Sequence, residues 1–243
     1  MAISSDGTGA PCTKADTAGV KGKDGKEART REVKVLTVTF YDRVDRRGRP
    51  IVNRSCIVYF SSTESAEAFA ERTYAIVRRM GYCQCARVQF VSDGAAWLEK
   101  MWRGHFRDTD VLRVVDFYHA AQYLHVVVAA LCARDGKDAA DAFRGYRRTM
   151  ERRGGEKALE EIVRDFGEES IAGLPEEARK AWAHLKRRTD AMDYGRYRPE
   201  NDSDTPSGRL VDISVPRRLK VLSIAVRNSS ASNPNRPLNN QMS

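Results

Sequence analysis

An α/β architecture with one mixed five-stranded sheet follows from three features of this sequence. Two neighbouring stretches near the N-terminus alternate apolar and β-branched residues with polar ones, as paired, half-buried strands do. Further on, two short apolar runs are separated by stretches of helical periodicity, the spacing of strands joined by helical crossovers. Past residue 135 the strand pattern stops and only helical periodicity continues.

The first strand is read at residues 2–5 and runs directly into Asp6-Gly7-Thr8-Gly9. Residues 14–31 (KADTAGVKGKDGKEARTR), with glycines and alternating charges, read as an exposed loop. Residues 33–41 (VKVLTVTFY) form the second strand, and residues 51–60 (IVNRSCIVYF) its antiparallel neighbour across a turn at 42–50. Ser61 or Ser62 caps a helix that runs to Met80, with Gly81 as its stop. The fourth strand spans 86–91, broken at Ser92-Asp93-Gly94, and a short helix follows at 95–102. The fifth spans 111–115 and ends at Asp116, before a helix over 118–132. Three opening strands suit an antiparallel meander, whereas the later two, each entered through a helix, should be parallel. That is the element order of the RNase H-like fold, and it assigns residues 1–135 to such a core.

Residues 138–153, 156–166 and 175–192 read as helices, interrupted at Gly154-Gly155 and over 171–175. They make residues 136–200 an all-helical insertion or lid on the sheet. Residues 201–243 are rich in Ser, Asn, Pro and Arg and carry no acidic residue after Asp212. They read as a poorly ordered tail.

The chain's 243 residues, 41% of them hydrophobic, suffice for one sizeable domain or a domain with an insertion. Lys and Arg number 42 against 33 Asp and Glu, a net charge of +9 that favours a polyanionic partner, of which nucleic acid is the commonest. The longest apolar run, residues 126–131, is far short of a membrane span, and no signal peptide is visible. The five cysteines have irregular spacing, and Cys83 and Cys85 lack a second pair at zinc-like distance. They read as reduced thiols of a soluble, basic, cytoplasmic protein, with a structural zinc as the lesser reading.

Asp6, Asp93 and Asp116 each lie at or just past a strand end. Functional groups of open α/β sheets gather outside the carboxyl ends of the strands. If the first and fourth strands are adjacent and parallel, Asp6 and Asp93 fall side by side, and paired carboxylates repel unless a cation lies between them. Oxygen ligands suit Mg2+ or Mn2+, and two such ions roughly 3.5–4 Å apart can activate an attacking oxygen and stabilise a leaving one. Taken singly, Asp6 and Asp93 read as turn residues before glycine, and the recurrence at successive strand ends gives the pattern its weight. Asp116 fits the N-cap of the helix that follows, which would carry His119 near the same edge, and on spacing alone the capping reading is favoured. Gly7-Thr8-Gly9 has neither the Walker nor the Rossmann spacing. Lys21, Lys23, Lys26, Arg29, Arg31 and Lys34 form a basic run that either clamps a DNA backbone or makes up a solvated loop.

DGTGAP at Asp6, GVKGKDGKEARTREVKV from Gly19, SDGAAWL at Ser92, DFYHAAQYL at Asp116 and MDYGRYRPEN at Met192 together resemble the bacterial ISKra-type insertion-sequence transposases. These belong to the RNase H-like DDE superfamily and are related to the Mutator-like transposases, and the pieces span residues 6 to 201 in the family's order. The resemblance implies that Asp6 and Asp93 are the first two catalytic aspartates and ligands of two Mg2+ or Mn2+ ions. It matches Asp116 and His119 to the D/C-x-x-H motif. It implies hydrolysis at transposon ends, then attack of the freed 3′-hydroxyl on target DNA, by a protein that self-associates. Two departures mark the chain as truncated or frameshifted, with impaired activity. Met1 stands close before Asp6, where the family has a long N-terminal region, and Ser207-Gly208 leads not to the third-ligand glutamate but to Asp212, with Pro216 nearby. Asp212 is the candidate replacement. A non-catalytic DNA-binding or subunit-binding remnant is the alternative.

Overall fold

The computed structural model describes residues 1–15, 17–22, 25–46 and 50–197, apart from the side chains of residues 196 and 197. Its strands are β1 (Ala2–Pro11), β2 (Thr30–Val44), β3 (Pro50–Ser62), β4 (Val88–Ser92) and β5 (Val111–Val115). Its helices are α1 (Ala66–Arg79), α2 (Ala96–His105), α3 (Phe117–Asp135), α4 (Ala139–Arg153), α5 (Gly155–Phe166), α6 (Glu168–Ala172) and α7 (Glu176–Lys186).

The sheet runs β3-β2-β1-β4-β5, antiparallel through β1, β2 and β3 and parallel where β4 joins β1 and β5 joins β4. The mixed five-stranded sheet and its RNase H-like order are therefore present. Phe90 and Val91 of β4 point to opposite faces, as successive strand residues must, and each enters a different core. Ile3, Leu36, Val38 and Phe90 pack with Phe69 of α1 and with Leu98 and Phe106 of the α2 region. Val91, Val114 and Val115 pack with Leu124 and Val128 of α3, and the same core continues into Met150, Ile162 and Leu185 of α4, α5 and α7. α3 lies between the sheet and the helical block, which explains why VVVAAL has no polar face. Among the described residues no helix is long and apolar enough to cross a membrane.

Several boundaries differ from the sequence reading. β1 continues past Ser5 to Pro11, because β2 extends with it as far as Pro11↔Thr30. The last residues of the basic stretch thus belong to a ribbon, prolonged by Cys12 N–H to Arg29 O at 3.2 Å and by a Lys21↔Glu27 bridge. Ser61 and Ser62 are spent in β3, opposite Val35 and Lys34, so α1 starts later. Ser65 caps it, accepting the Ala68 N–H at 3.2 Å. α7 stops at Lys186 rather than Met192, and a 3-10 turn over Thr189–Ala191 follows. α6, with five residues, is too short to leave a periodicity.

A candidate carboxylate site at the parallel strand ends

β1 pairs with β4 only through Ser4↔Val91, and Asp6 lies two residues past that last pair, still bound to β2 opposite Val35. Asp93 directly follows β4, and Asp116 directly follows β5. Three adjacent strands thus deliver one aspartate each to a single edge. Along β1, Ile3 faces the α1 and α2 core, so alternation turns Asp6 to the side on which α3 begins.

Each carboxylate is oriented by its own turn. Asp6 Oδ1 accepts the Gly7 N–H at 2.7 Å, and Asp93 Oδ1 accepts the Ala95 N–H at 2.7 Å, opening α2. Asp116 is the N-cap of α3, as the spacing indicated: its Oδ1 accepts the Tyr118 and His119 N–H groups at 2.7 and 3.1 Å. Its own N–H donates to Ser92 O at 2.7 Å, joining the ends of β5 and β4. At 2% exposure Asp116 is a buried capping group, whereas Asp6 and Asp93 are half-buried.

Burial first, and then the charge of Asp93, raises the Asp6 pKa above the ordinary aspartate value, with the Gly7 N–H and His119 opposing. His119 is raised by the Asp116 carboxylate beside it, against burial, with Asp93 and Asp6 adding smaller pulls. Its Nδ1 lies 3.7 Å from Asp116 Oδ1, an ion-pair distance rather than a hydrogen bond. Asp6 and His119 therefore feel each other's charge and those of Asp93 and Asp116.

A hard divalent cation fits this arrangement in charge, since it would relieve the repulsion that raises Asp6. In ligand number the fit is incomplete: among the described residues no group of three or more His, Cys, Asp or Glu is placed to hold a metal ion. Asp212 and Lys23 lie outside the described residues.

Of the basic run, Lys21, Lys26, Arg29 and Arg31 are exposed on or beside the ribbon that β1 and β2 extend past Asp6. Lys34 is not: it is 6% exposed, with Nζ donating to Glu64 O at 2.9 Å and lying 3.1 Å from Glu32. A groove of about 530 Å³ runs beside the start of α3, lined by Tyr118, His125, Phe143 and Arg147 among others.

Three residues near the site were not anticipated: His184, Arg188 and Tyr194. His184 stacks on Tyr123 of α3 with ring centroids 3.9 Å apart, and its pKa is lowered to about 4 by burial and by the Arg188 charge. Arg188 is 8% exposed and donates to Gly94 O. Tyr194 donates to Val115 O at 3.0 Å. Only the segment MDYGRYRPEN, which contains Tyr194, carried a signal in the sequence, and that signal assigned it no role.

Gly94 holds φ +83, and a Cβ there would meet Arg188 Nε at 2.6 Å. Gly94→Ala is expected to cost about 1–3 kcal/mol through the left-handed backbone alone. Chemical denaturation checks this, and a loss under about 0.5 kcal/mol, the range of a neutral surface change, would show that the loop can turn over.

Fold and site together define an α/β protein with an acidic cluster at the carboxyl edge of its parallel strands. Comparison of the chain with protein-family models, with curated proteins and with solved structures finds no match in any of the three.

Proposed function

We propose that this chain is the catalytic core of a DDE-type transposase, a metal-dependent enzyme for DNA strand cleavage and strand transfer, with low activity for want of a third acidic ligand. One observation carries the reading: adjacent parallel strands bring Asp6 and Asp93 to one edge, where Asp6 and His119 each feel the charges of Asp93 and Asp116. Asp6 and Asp93 would hold the Mg2+ or Mn2+ ions, which when bound activate the attacking oxygen and stabilise the leaving one. Asp116 holds the first turn of α3 and, with it, His119. His119, its pKa raised, keeps positive charge to higher pH than an ordinary histidine and so draws a phosphate towards the edge. Lys21, Lys26, Arg29 and Arg31 neutralise the DNA backbone from the ribbon that starts at Asp6. Self-association on paired DNA ends belongs to the same reading.

Supercoiled DNA incubated with the protein and Mn2+ should be nicked, and Asp93→Ala should lower that rate by at least about 100-fold, more than the roughly 10–100-fold that losing an outer-shell partner costs. Nicking that persists in Asp93→Ala would refute the assignment.

That among the described residues no group of three or more His, Cys, Asp or Glu is placed to hold a metal ion favours a second reading, a DNA-binding or subunit-binding remnant without catalysis. It expects salt-sensitive DNA binding with no nicking. Arg29→Ala with Arg31→Ala should then lower the slope of log affinity against log salt by about 1 per residue. An unchanged slope would remove the ribbon from the interface.

A further inference from the structure

Two backbone carbonyls beside the carboxylates are held from one short stretch of chain. Arg188, just past α7, donates to Gly94 O from Nη2 at 2.6 Å and from Nε at 3.1 Å, and Gly94 is the residue after Asp93. Tyr194 donates its hydroxyl to Val115 O at 3.0 Å, and Val115 is the residue before Asp116. The partners are 94 and 79 residues apart in sequence, yet one bond ends on the residue after Asp93 and the other on the last residue of β5, before Asp116.

The donors are themselves fixed. Arg188 also donates from Nη1 to His184 O at 3.1 Å, and its Nη2 lies 3.8 Å from Glu99 of α2. The Tyr194 ring meets Phe117 edge-on at 5.2 Å, at the first residue of α3. Between them, Met192 O accepts the Gly155 N–H at 2.8 Å, fastening the stretch to the start of α5. Packing alone does not call for an arginine here, because a buried guanidinium is costly to desolvate and an apolar side chain would fill the space. A planar fork that fixes one carbonyl from two nitrogens does something an apolar side chain cannot: it sets the position of a loop.

We propose that the stretch from Arg188 to Tyr194 is a clasp that holds the turn after Asp93 and the β5–α3 junction at Asp116, with Arg188 and Tyr194 as positioning residues of the carboxylate site. It reinforces the Asp116 N–H bond to Ser92 O that joins the two strand ends. The helical block is then the frame that brings the clasp to the sheet edge. The clasp itself stands on geometry, and its bearing on cation binding rests on the function proposed above.

The test uses the full chain. Tyr194→Phe keeps the ring against Phe117 and removes only the hydroxyl, and Arg188→Lys keeps the charge and removes the fork. Hydrogen exchange without metal should rise about 10-fold at the amides of residues 93–95 and 116–119, the worth of one hydrogen bond. The rest of β4 and β5 should be unchanged, and the melting temperature should stay within a few degrees. Mn2+ binding, read by the electron paramagnetic resonance of the ion, should weaken by roughly 10-fold in both variants, with Asp93→Ala as the reference for loss of the site. Exchange unchanged at both loops, or raised evenly across the sheet, overturns the clasp. Asp93-dependent Mn2+ binding that is equally tight in the variants overturns the positioning role. A local rise in exchange, with no Asp93-dependent binding in the unsubstituted protein, supports the clasp and removes the metal reading. If Arg188→Lys fails to fold, Tyr194→Phe decides the matter alone.

Discussion

Replacing Phe90 with alanine is expected to remove about 3–5 kcal/mol of stability, the range for emptying a fully buried phenylalanine site. Phe90 is 0% exposed, in the strand that has β1 on one side and β5 on the other. All five residues of β4 are buried, and the ring packs 5.7 Å from that of Phe106 at an interplanar angle of 32°. A strand bonded along both edges cannot shift to close the space, so the cavity remains and its full cost is felt. Domains are stable by about 5–15 kcal/mol in total, so this one ring is a large share. At roughly 2–4 °C per kcal/mol for a chain of this size, thermal unfolding followed by circular dichroism should shift down by about 6–20 °C. A shift of only a degree or two would mean that Phe106 and Phe69 collapse into the gap.

β2 and β3 were legible because both alternate apolar or β-branched residues with polar ones, although residues 33–39 of β2 are all buried while β3, at the sheet edge, is exposed or half-buried along its length. β4 and β5 were legible as short, mostly apolar runs, each interrupted by one polar residue, Gln89 and Arg113. The continuation of β1 through Gly7 and Gly9 was not, since glycines show no face, and what extends the strand is the length of β2 opposite. The start of α1 was read at Ser61 or Ser62, whereas Ser65 caps the helix. Strand pairing claims the first two, and pairing is a long-range fact that capping propensity does not contain.

The acidic edge was visible because Asp6 and Asp93 stand before a glycine and Asp116 at a helix start, although Asp6 lies inside β1 and not past its end as its sequence suggested. Arg188 and Tyr194 were invisible because their partners are carbonyls of Gly94 and Val115, and a carbonyl has no residue identity to match. Lys34 shows the same limit for charge. As one cation in a basic run it read like its neighbours, and only its position in β2 opposite Ser62 carries it inward to Glu64 O.

Asp6→Asn is expected to raise the melting temperature at neutral pH in the absence of metal and, on the proposal that Asp6 and Asp93 hold the cation, to remove most of any further rise that Mn2+ gives the unsubstituted protein. The sign follows from the raised Asp6 pKa. Between the ordinary value of 3.8 and the folded value, the folded state holds more protons than the unfolded one, so stability falls as pH rises through that window. Above the window the ionised carboxylate carries a constant penalty, which an amide does not. The melting temperatures of the two proteins should therefore agree below pH 3.8 and diverge above it, with the variant the more stable. The comparison has to be made as a difference, because two histidines add their own slopes. His119, raised, contributes stability that is lost as pH rises through its folded pKa, and His184, lowered to about 4, contributes stability that is lost as pH falls from 6.5 towards 4. Both are present in parent and variant, so most of their effect cancels. Mn2+ that binds only the folded protein adds about 2.7 kcal/mol at a concentration 100 times its Kd, which at 2–4 °C per kcal/mol is roughly 5–11 °C. One carboxylate fewer should cut that gain to a small remainder. A lower metal-free melting temperature in the variant would mean that the Gly7 N–H bond outweighs burial and the repulsion from Asp93. An undiminished Mn2+ shift would place the cation elsewhere than at Asp6.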